Sequence, residues 1–248
     1  SSAPAQIGVA LVDLLDAPDG IRDRQLIYGD PVTVLGAQDG HSYVRPGRDG
    51  YIGFVPTAAL AQAAPHTHRV IARASHAYAR ADMKSPDRTM LSFGSRLTAL
   101  SETPKFIETA AGFVPKQHIA PADHWQDDPA AIAALFLGTP YLWGGNSGTG
   151  IDCSGLVQAA CLACNIPCDG DSDQQARSLG TALPEGTPPQ RNDLFFWKGH
   201  VALVYDGSTL IHANAHHMAT TFEPISEALT RIEKSILFFG AFFILKKR

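Results

Sequence analysis

Cysteine is scarce in this 248-residue sequence, and all four, Cys153, Cys161, Cys164 and Cys168, fall in one short stretch. Cysteines so placed make a disulfide framework an unlikely scaffold and leave reduced thiols as the expectation. That favours a cytoplasmic protein and leaves a periplasmic or secreted one open. Long apolar runs are also missing. The longest, Ile236 to Leu245, is broken by Gly240 and falls far short of the roughly 20 residues a membrane helix needs, so terminal sheet strands are expected there. No run of Lys or Arg occurs before Lys246, Lys247 and Arg248, and the formal net charge is −4, which argues against nucleic acid as a partner. The sequence opens at Ser1 without a Met. A trimmed start is expected, and the missing signal sequence is silent about export. What remains is ordinary globular material with 45% hydrophobic and 18% charged residues, which excludes disordered and collagen-like classes and suffices for two or three small cores.

An internal repeat organises the first half. Leu26-Ile-Tyr-Gly-Asp-Pro-Val-Thr-Val-Leu35 returns as Leu91-Ser-Phe-Gly-Ser-Arg-Leu-Thr-Ala-Leu100, and Gly53-Phe-Val-Pro56 returns as Gly112-Phe-Val-Pro115. A unit of about 60 residues therefore occurs twice. Each copy alternates apolar and polar residues between turns such as Gln38-Asp39-Gly40 and Arg48-Asp49-Gly50, the pattern of a small antiparallel barrel. These repeats resemble bacterial SH3-type domains. Linkers at Ala61 to Thr67 and Pro121 to Asp128 delimit domains at 1–62, 66–121 and 124–248.

In the third domain Asp128-Pro129 is expected to cap and start a helix that Gly138 stops, followed by the aromatic loop Tyr141-Leu-Trp-Gly-Gly145. Asp152-Cys153-Ser154-Gly155 then leads into good helix formers through Cys164, so Cys153 is expected at the first turn of a helix. Unpaired N–H groups and the helix dipole stabilise a thiolate there, and a nearby imidazolium would lower the thiol pKa further. Cys161 and Cys164 are expected to face the core; a metal cluster is not expected, nor is any cofactor.

Gly199 to Asp206 and Ser208 to Ala215 read as strands of a hairpin turning at Tyr205-Asp206-Gly207. With that three-residue loop, Val204 pairs with Ser208 and His200 falls directly opposite His212, with Cβ atoms about 5 Å apart. His212 can then bond one nitrogen of His200 and leave the other aimed at Cys153, giving a Cys-His-His triad. His216 and His217 are read as loop residues.

Asp152-Cys-Ser-Gly-Leu-Val157, Asp193-Leu-Phe-Phe-Trp-Lys-Gly-His-Val201 and His212 resemble, in order, the three signatures of NlpC-type cell-wall peptidases. With two SH3-type repeats in front, the chain is most similar to the γ-D-glutamyl-L-diamino acid endopeptidases, the dipeptidyl-peptidase VI subgroup. The resemblance implies an α+β architecture: a papain-like cysteine peptidase domain preceded by two small SH3-like β-barrels. It also implies an enzyme acting on peptidoglycan-derived peptides with a free N-terminal L-Ala, with Cys153 as nucleophile, His200 as base and His212 as orienter. By the same resemblance, Asp171 and Ser172 hold the substrate ammonium, and Tyr141 and Trp143 line the pocket. Ser154 meets the substrate backbone, and Tyr51 and Asp16 of the first repeat wall the pocket off. The sequence departs from the pattern at Asn192, where glycine is usual.

The expected partner is an L-Ala-γ-D-Glu-diamino acid peptide, with neither nucleic acid nor membrane, and the chain is read as a monomer. The same triad also suits a general cell-wall amidase or an acyltransferase, because triad geometry fixes acyl transfer and leaves the acceptor open. A third reading makes the chain a wall-binding module. The sequence does not choose between diaminopimelate and lysine as the diamino acid.

Overall fold

The glycines kept in both repeats are required by backbone geometry. Gly29 and Gly94 have φ values of +78° and +83°, in the left-handed region that glycine adopts without a Cβ penalty. Gly53 and Gly112 lie where the chain runs against a neighbouring strand. A Cβ at Gly53 would meet the carbonyl oxygen of Leu15 at 2.7 Å, and one at Gly112 the carbonyl oxygen of Tyr78 at 2.6 Å.

The computed structural model describes residues 2–184, 186–235 and 241–244, with the backbone alone beyond Ile232. The chain falls into two units, Ser1–Trp125 with Asn146–Gly148, and Gln126–Gly145 with Thr149–Arg248.

In the first unit, strands β1 (Ala3–Ile7), β2 (Leu11–Leu15), β3 (Arg22–Ile27), β4 (Pro31–Gln38), β5 (His41–Pro46), β6 (Gly53–Pro56) and β7 (Leu60–Gln62) form one sheet in the order β3-β2-β6-β5-β4-β1-β7. Alternation sends Ile7, Leu14, Leu26, Val32, Val44 and Val55 into a shared core, each worth about 1.5–3 kcal/mol when fully buried. The second copy comprises β8 (His68–Val70), β9 (Ala74–Tyr78), β10 (Asp87–Ser92), β11 (Arg96–Leu97), β12 (Ser101–Glu102), β13 (Phe106–Thr109), β14 (Gly112–Pro115) and β15 (Ile119–Pro121). It makes a five-stranded and a three-stranded sheet around Val70, Leu91, Leu97, Ile107 and Val114. The repeated Gly-Phe-Val-Pro segment is a strand in both copies, and in both a 3-10 turn and a short strand follow it, at Thr57–Ala59 and Lys116–His118.

The second unit holds helix α1 (Pro129–Ala134) and helix α2 (Cys153–Ala163), with short strands β16 (Asn146–Ser147, grouped with the first unit) and β17 (Gly150–Ile151) between them in sequence. Helix α3 (Ser172–Ser178) and strands β18 (Thr181–Ala182), β19 (Asp193–Trp197), β20 (His200–Asp206), β21 (Thr209–Asn214) and β22 (Ala219–Pro224) follow, then helix α4 (Ile225–Ser235) and strand β23 (Ala241–Ile244). The sheet order is β18-β23-β19-β20-β21-β22. Of the terminal stretch expected as strands, 241–244 is β23, while 236–240 and 245 lie outside the described residues. Helix α4 turns Ile225, Ala228, Leu229 and Ile232, at helical spacing, onto Phe195, Trp197, Ala202, Val204 and Leu210 of the sheet. Among the described residues, no helix is long and apolar enough to cross a membrane.

Helix α1 starts where expected, with Asp128 at the N-cap position and Pro129 in its first turn, but a cap hydrogen bond comes from a second residue. Asp128 makes no side-chain cap; its carboxylate accepts from Arg191 Nε at 3.0 Å and Nη2 at 2.8 Å. The N–H of Ala130 donates instead to Oδ1 of Asn192 at 2.8 Å. Asn192 has φ +73°, a conformation that glycine takes readily and asparagine tolerates, which accounts for its standing where the resemblance calls for glycine.

Candidate functional site

The start of α2 is built around Asp152. Its side chain is the N-cap, with Oδ1 accepting from the N–H of Gly155 at 2.7 Å and from the hydroxyl of Ser154 at 3.2 Å. Its Oδ2 accepts from the N–H of Gly144 in the aromatic loop at 2.9 Å. One carboxylate thus satisfies orphan donors of the helix and pins the loop before it. Cys153 is the first helical residue and is buried. The N–H groups of Val201, Ser154 and Cys153 itself act on its sulfur, so it lies against the start of β20, at the residue that follows His200.

Burial dominates the thiol's chemistry and pushes its pKa up to about 12, with the Asp152 carboxylate adding to the rise, while those three N–H groups act the other way. The ionised thiol expected from the helix position is therefore not the resting form. The helix-start donors do act on the sulfur, but desolvation outweighs them. His200 is pushed down to about 3 by burial first, then by His212 and Arg231, against the pull of Glu223. Burial thus favours the neutral thiol and the neutral imidazole.

Nε2 of His200 lies 2.8 Å from Nδ1 of His212. The cross-strand register that was expected to bring them together is corrected by the structure. Val204 pairs with Leu210 and Asp206 with Thr209, which makes Tyr205 a bulge and leaves Gly207-Ser208 as the turn. Asp206 Oδ1 closes that turn by accepting from the N–H of Ser208 at 2.9 Å. Carried outward, this register places Ala202 opposite His212, so His200 is its diagonal neighbour. A shift of two residues preserves the faces of both strands, and a diagonal pair remains within reach of long side chains. Trp197 is the direct partner of His200 across β19 and β20, and their rings stack with centroids 5.6 Å apart.

Two members of the site escaped the sequence reading. Nε2 of His212 lies 2.8 Å from Oε2 of Glu223 on β22, and Arg231 of α4 donates to both Glu223 oxygens, at 2.9 Å and 2.6 Å. His212 is 1% and Glu223 5% exposed. The hydrogen bonds from His212 and Arg231 hold the Glu223 carboxyl well below its ordinary range, overcoming a large desolvation penalty. Glu223 pairs with Leu210, and His212 with Thr221, so acid and imidazole are again diagonal neighbours on one sheet face. A third strand drawn beside β21 would have shown this, but a lone Glu on a strand reads as solvent-facing.

The remaining expected residues have varied settings. Tyr141 is half-buried, and its hydroxyl pKa is raised by burial and by the neighbouring Cys153 and Asp152. Trp143 is 70% exposed. Ser154 is buried, with its hydroxyl on Asp152 and its carbonyl accepting from Gln175 Nε2 at 2.9 Å. Gln175 also donates to the carbonyl of Asp169 at 2.9 Å, tying α3 to the start of α2. Asp171 caps α3 in a capping box with Gln174, and Ser172 opens the helix. In the first unit, Asp16 accepts from the N–H of Ile21 at 2.8 Å. Tyr51 lies under the Arg24 guanidinium at 5.2 Å. Cys161, Cys164 and Cys168 are buried. Among the described residues, no group of three or more His, Cys, Asp or Glu is arranged to hold a metal.

A thiol at a helix start, beside an imidazole held by a second imidazole and a carboxylate, has the parts an acyl-transfer site requires. The NlpC/P60 family profile matches residues 138–231, a span containing Cys153, His200, His212, Glu223 and Arg231. Over that span the chain is an NlpC/P60 domain. Ahead of the NlpC/P60 domain, residues 14–60 match the bacterial dipeptidyl-peptidase Sh3 domain. The γ-D-glutamyl-L-lysine dipeptidyl-peptidase of Bacillus subtilis (strain 168) is 28% identical over 217 residues, 79% of this chain and 73% of that protein. Dipeptidyl-peptidase 6 of Lysinibacillus sphaericus is 38% identical over 102 residues, 40% of this chain and 36% of that protein. The crystal structure of an NlpC/P60 family protein from Bacillus cereus ATCC 10987 superposes with a TM-score of 0.82 at 22% identity, covering 98% of this chain and 100% of that one. That likeness establishes the fold.

Proposed function

We propose that this chain is a cysteine peptidase that hydrolyses the γ-D-glutamyl-L-diamino acid bond of peptides derived from peptidoglycan, starting from a free N-terminal L-Ala. The observation that carries the reading is the seating of the Cys153 sulfur at the start of α2 against the N–H of Val201, the residue after His200, together with the hydrogen bond between His200 and His212. The relative named for γ-D-glutamyl-L-lysine bonds favours lysine as the first diamino acid to test.

Because thiol and imidazole are both uncharged at rest, the proton moves as the bond forms. Cys153 attacks the γ-carbonyl carbon while its proton passes to Nδ1 of His200, and N–H groups at the helix start receive the oxyanion. The tetrahedral intermediate collapses by breaking the C–N bond, and His200 returns the proton to the departing amine. Water, deprotonated by His200, then hydrolyses the thioester and restores the thiol. His212 keeps the ring of His200 in register through both halves.

Asp171 is assigned to the substrate ammonium, with Ser172 beside it. Tyr141 and Trp143 form the aromatic wall, and Ser154 supports the helix-start donors. The test compares kcat/KM for L-Ala-γ-D-Glu-L-Lys, its diaminopimelate counterpart and their N-acetylated forms. Preference for a free amine by more than about tenfold is expected, since a charge-assisted contact is worth roughly 1.5–3 kcal/mol. Equal cleavage of capped peptide or intact cross-linked wall would make the enzyme a general wall hydrolase.

A further inference from the structure

We infer that Glu223, held by Arg231, is a positioning residue that fixes which nitrogen of His212 carries the proton and, through His212, which nitrogen of His200 is bare. The inference rests on the proposed role of His200 as base.

The argument is one of donors and acceptors. Arg231 reaches both oxygens of Glu223, a charge-assisted pairing that keeps the carboxylate ionised and in one orientation. An ionised carboxylate only accepts, so His212 must present Nε2–H across the 2.8 Å to Oε2. A neutral imidazole has one such proton, so Nδ1 of His212 is bare and accepts across 2.8 Å from Nε2 of His200. The single proton of His200 is thereby placed on Nε2, leaving the lone pair on Nδ1, the nitrogen that must receive the thiol proton. The chain of constraint runs across β20, β21 and β22 and ends on α4. His200, Ala202 and Val204 share a face, as do Leu210 and His212, and Glu223 is the partner of Leu210. That face is the one α4 covers.

The pair of imidazoles does not by itself set the direction of that chain. Two imidazoles bonded to each other satisfy one another equally well with both protons reversed, and in the reversed state Nδ1 of His200 carries a proton and can accept none. The titratable and charged groups acting on the pair are Glu223 on β22, Arg231 on α4 and His217 after β21. Of these, Glu223 is the anion bonded to a ring nitrogen.

The experiment uses the intact chain labelled with ¹⁵N-histidine and needs no substrate for its first readout. Long-range ¹H–¹⁵N spectra should show Nε2 protonated and Nδ1 bare in both His200 and His212. Glu223→Gln, whose amide can donate as well as accept, should yield mixed tautomers and lower kcat by about tenfold or more with KM nearly unchanged. Glu223→Asp should restore the single tautomer and part of the rate. Arg231→Gln should keep the tautomers but shift the acid limb of kcat/KM to higher pH, because a cation near His200 is lost. Reversed tautomers in the wild type, or a folded Glu223→Gln variant with unchanged tautomers and kcat, would overturn the inference. Should Glu223→Gln fail to fold, the wild-type tautomers alone decide it. Since the spectra are independent of turnover, their failure leaves the proposed reaction intact, whereas full activity in Cys153→Ala overturns the reaction and this inference with it.

Discussion

His200 and His212 are hydrogen-bonded at 2.8 Å although they are diagonal neighbours across their strands, offset by the bulge at Tyr205. The bulge places the two rings at a tilt of 57°, so a ring nitrogen of each meets the other while Trp197 stacks on the far partner.

That geometry separates the two histidines by role. His200→Ala removes the group that moves the proton and should lower kcat/KM by at least about 10³-fold. His212→Ala leaves a base with an unfixed ring and should cost about 10–100-fold. Steady-state kinetics on one defined peptide checks the order; the reverse order, or wild-type rates in His200→Ala, would contradict the assignment.

Cys153→Ala should abolish turnover and leave the melting temperature within a few degrees of wild type. The side chain lost is small, and the helix start is held by Asp152 through Gly155 and Gly144, neither of which involves the sulfur. Cys153→Ser should be equally inactive, because a buried hydroxyl beside a neutral imidazole is a far weaker nucleophile.

The legible parts of the sequence were those with local grammar. Asp152-Cys-Ser-Gly is a cap followed by helix formers, and the structure places Cys153 at the head of α2. The pairing of His200 with His212 was legible for a subtler reason: the assumed register was wrong by two residues, and an even shift leaves faces unchanged. Glu223 and Arg231 were not legible because their meaning comes from a third strand and a helix folded over it. Asp128 does stand at the cap position of α1, but the bond that Asn192 supplies there was not legible because it comes from a residue 62 positions away in sequence, with the Asp128 carboxylate held by Arg191.

Asn192 offers a test of that cap bond. Asn192→Gly keeps the φ of +73° without strain but loses the bond to Ala130, and should cost about 1 kcal/mol. Asn192→Ala loses the bond and also meets the left-handed penalty of about 1–2 kcal/mol, so it should be the less stable of the two. Urea denaturation of both variants checks the order, and equal midpoints would remove Asn192 as the cap.

Stability should fall on both sides of neutrality. His200 and His212 bind protons more weakly folded than unfolded, and so does Glu223. Their contributions are complete above their ordinary values and fade as pH drops, the histidines from about 6.5 downward and Glu223 from about 4.5. Cys153 shifts the other way, so its contribution holds below about 9 and fades as pH rises toward about 12. Unfolding midpoints measured from pH 4 to pH 10 should therefore peak near neutrality. Replacing His200 by Gln should flatten the acid side; an unchanged acid slope would show that the imidazole is not buried in its neutral form.

Asp171 has two claims on its carboxylate, the capping box of α3 and the proposed ammonium contact, and a pair of substitutions separates them. Asparagine caps a helix about as well as aspartate, so Asp171→Asn should hold the melting temperature while removing the charge. Alanine removes both functions and should also cost about 1 kcal/mol of stability. If Asp171 binds the substrate ammonium, both variants should lose the preference for free over N-acetylated L-Ala-γ-D-Glu-L-Lys to a similar extent. That loss is about 10- to 100-fold for a charge-assisted hydrogen bond, and in Asp171→Asn it comes without any loss of stability. Activity on the acetylated peptide, which carries no ammonium, should stay near wild type in Asp171→Asn. A preference that survives in Asp171→Asn and falls only in Asp171→Ala would assign this residue to the helix cap alone.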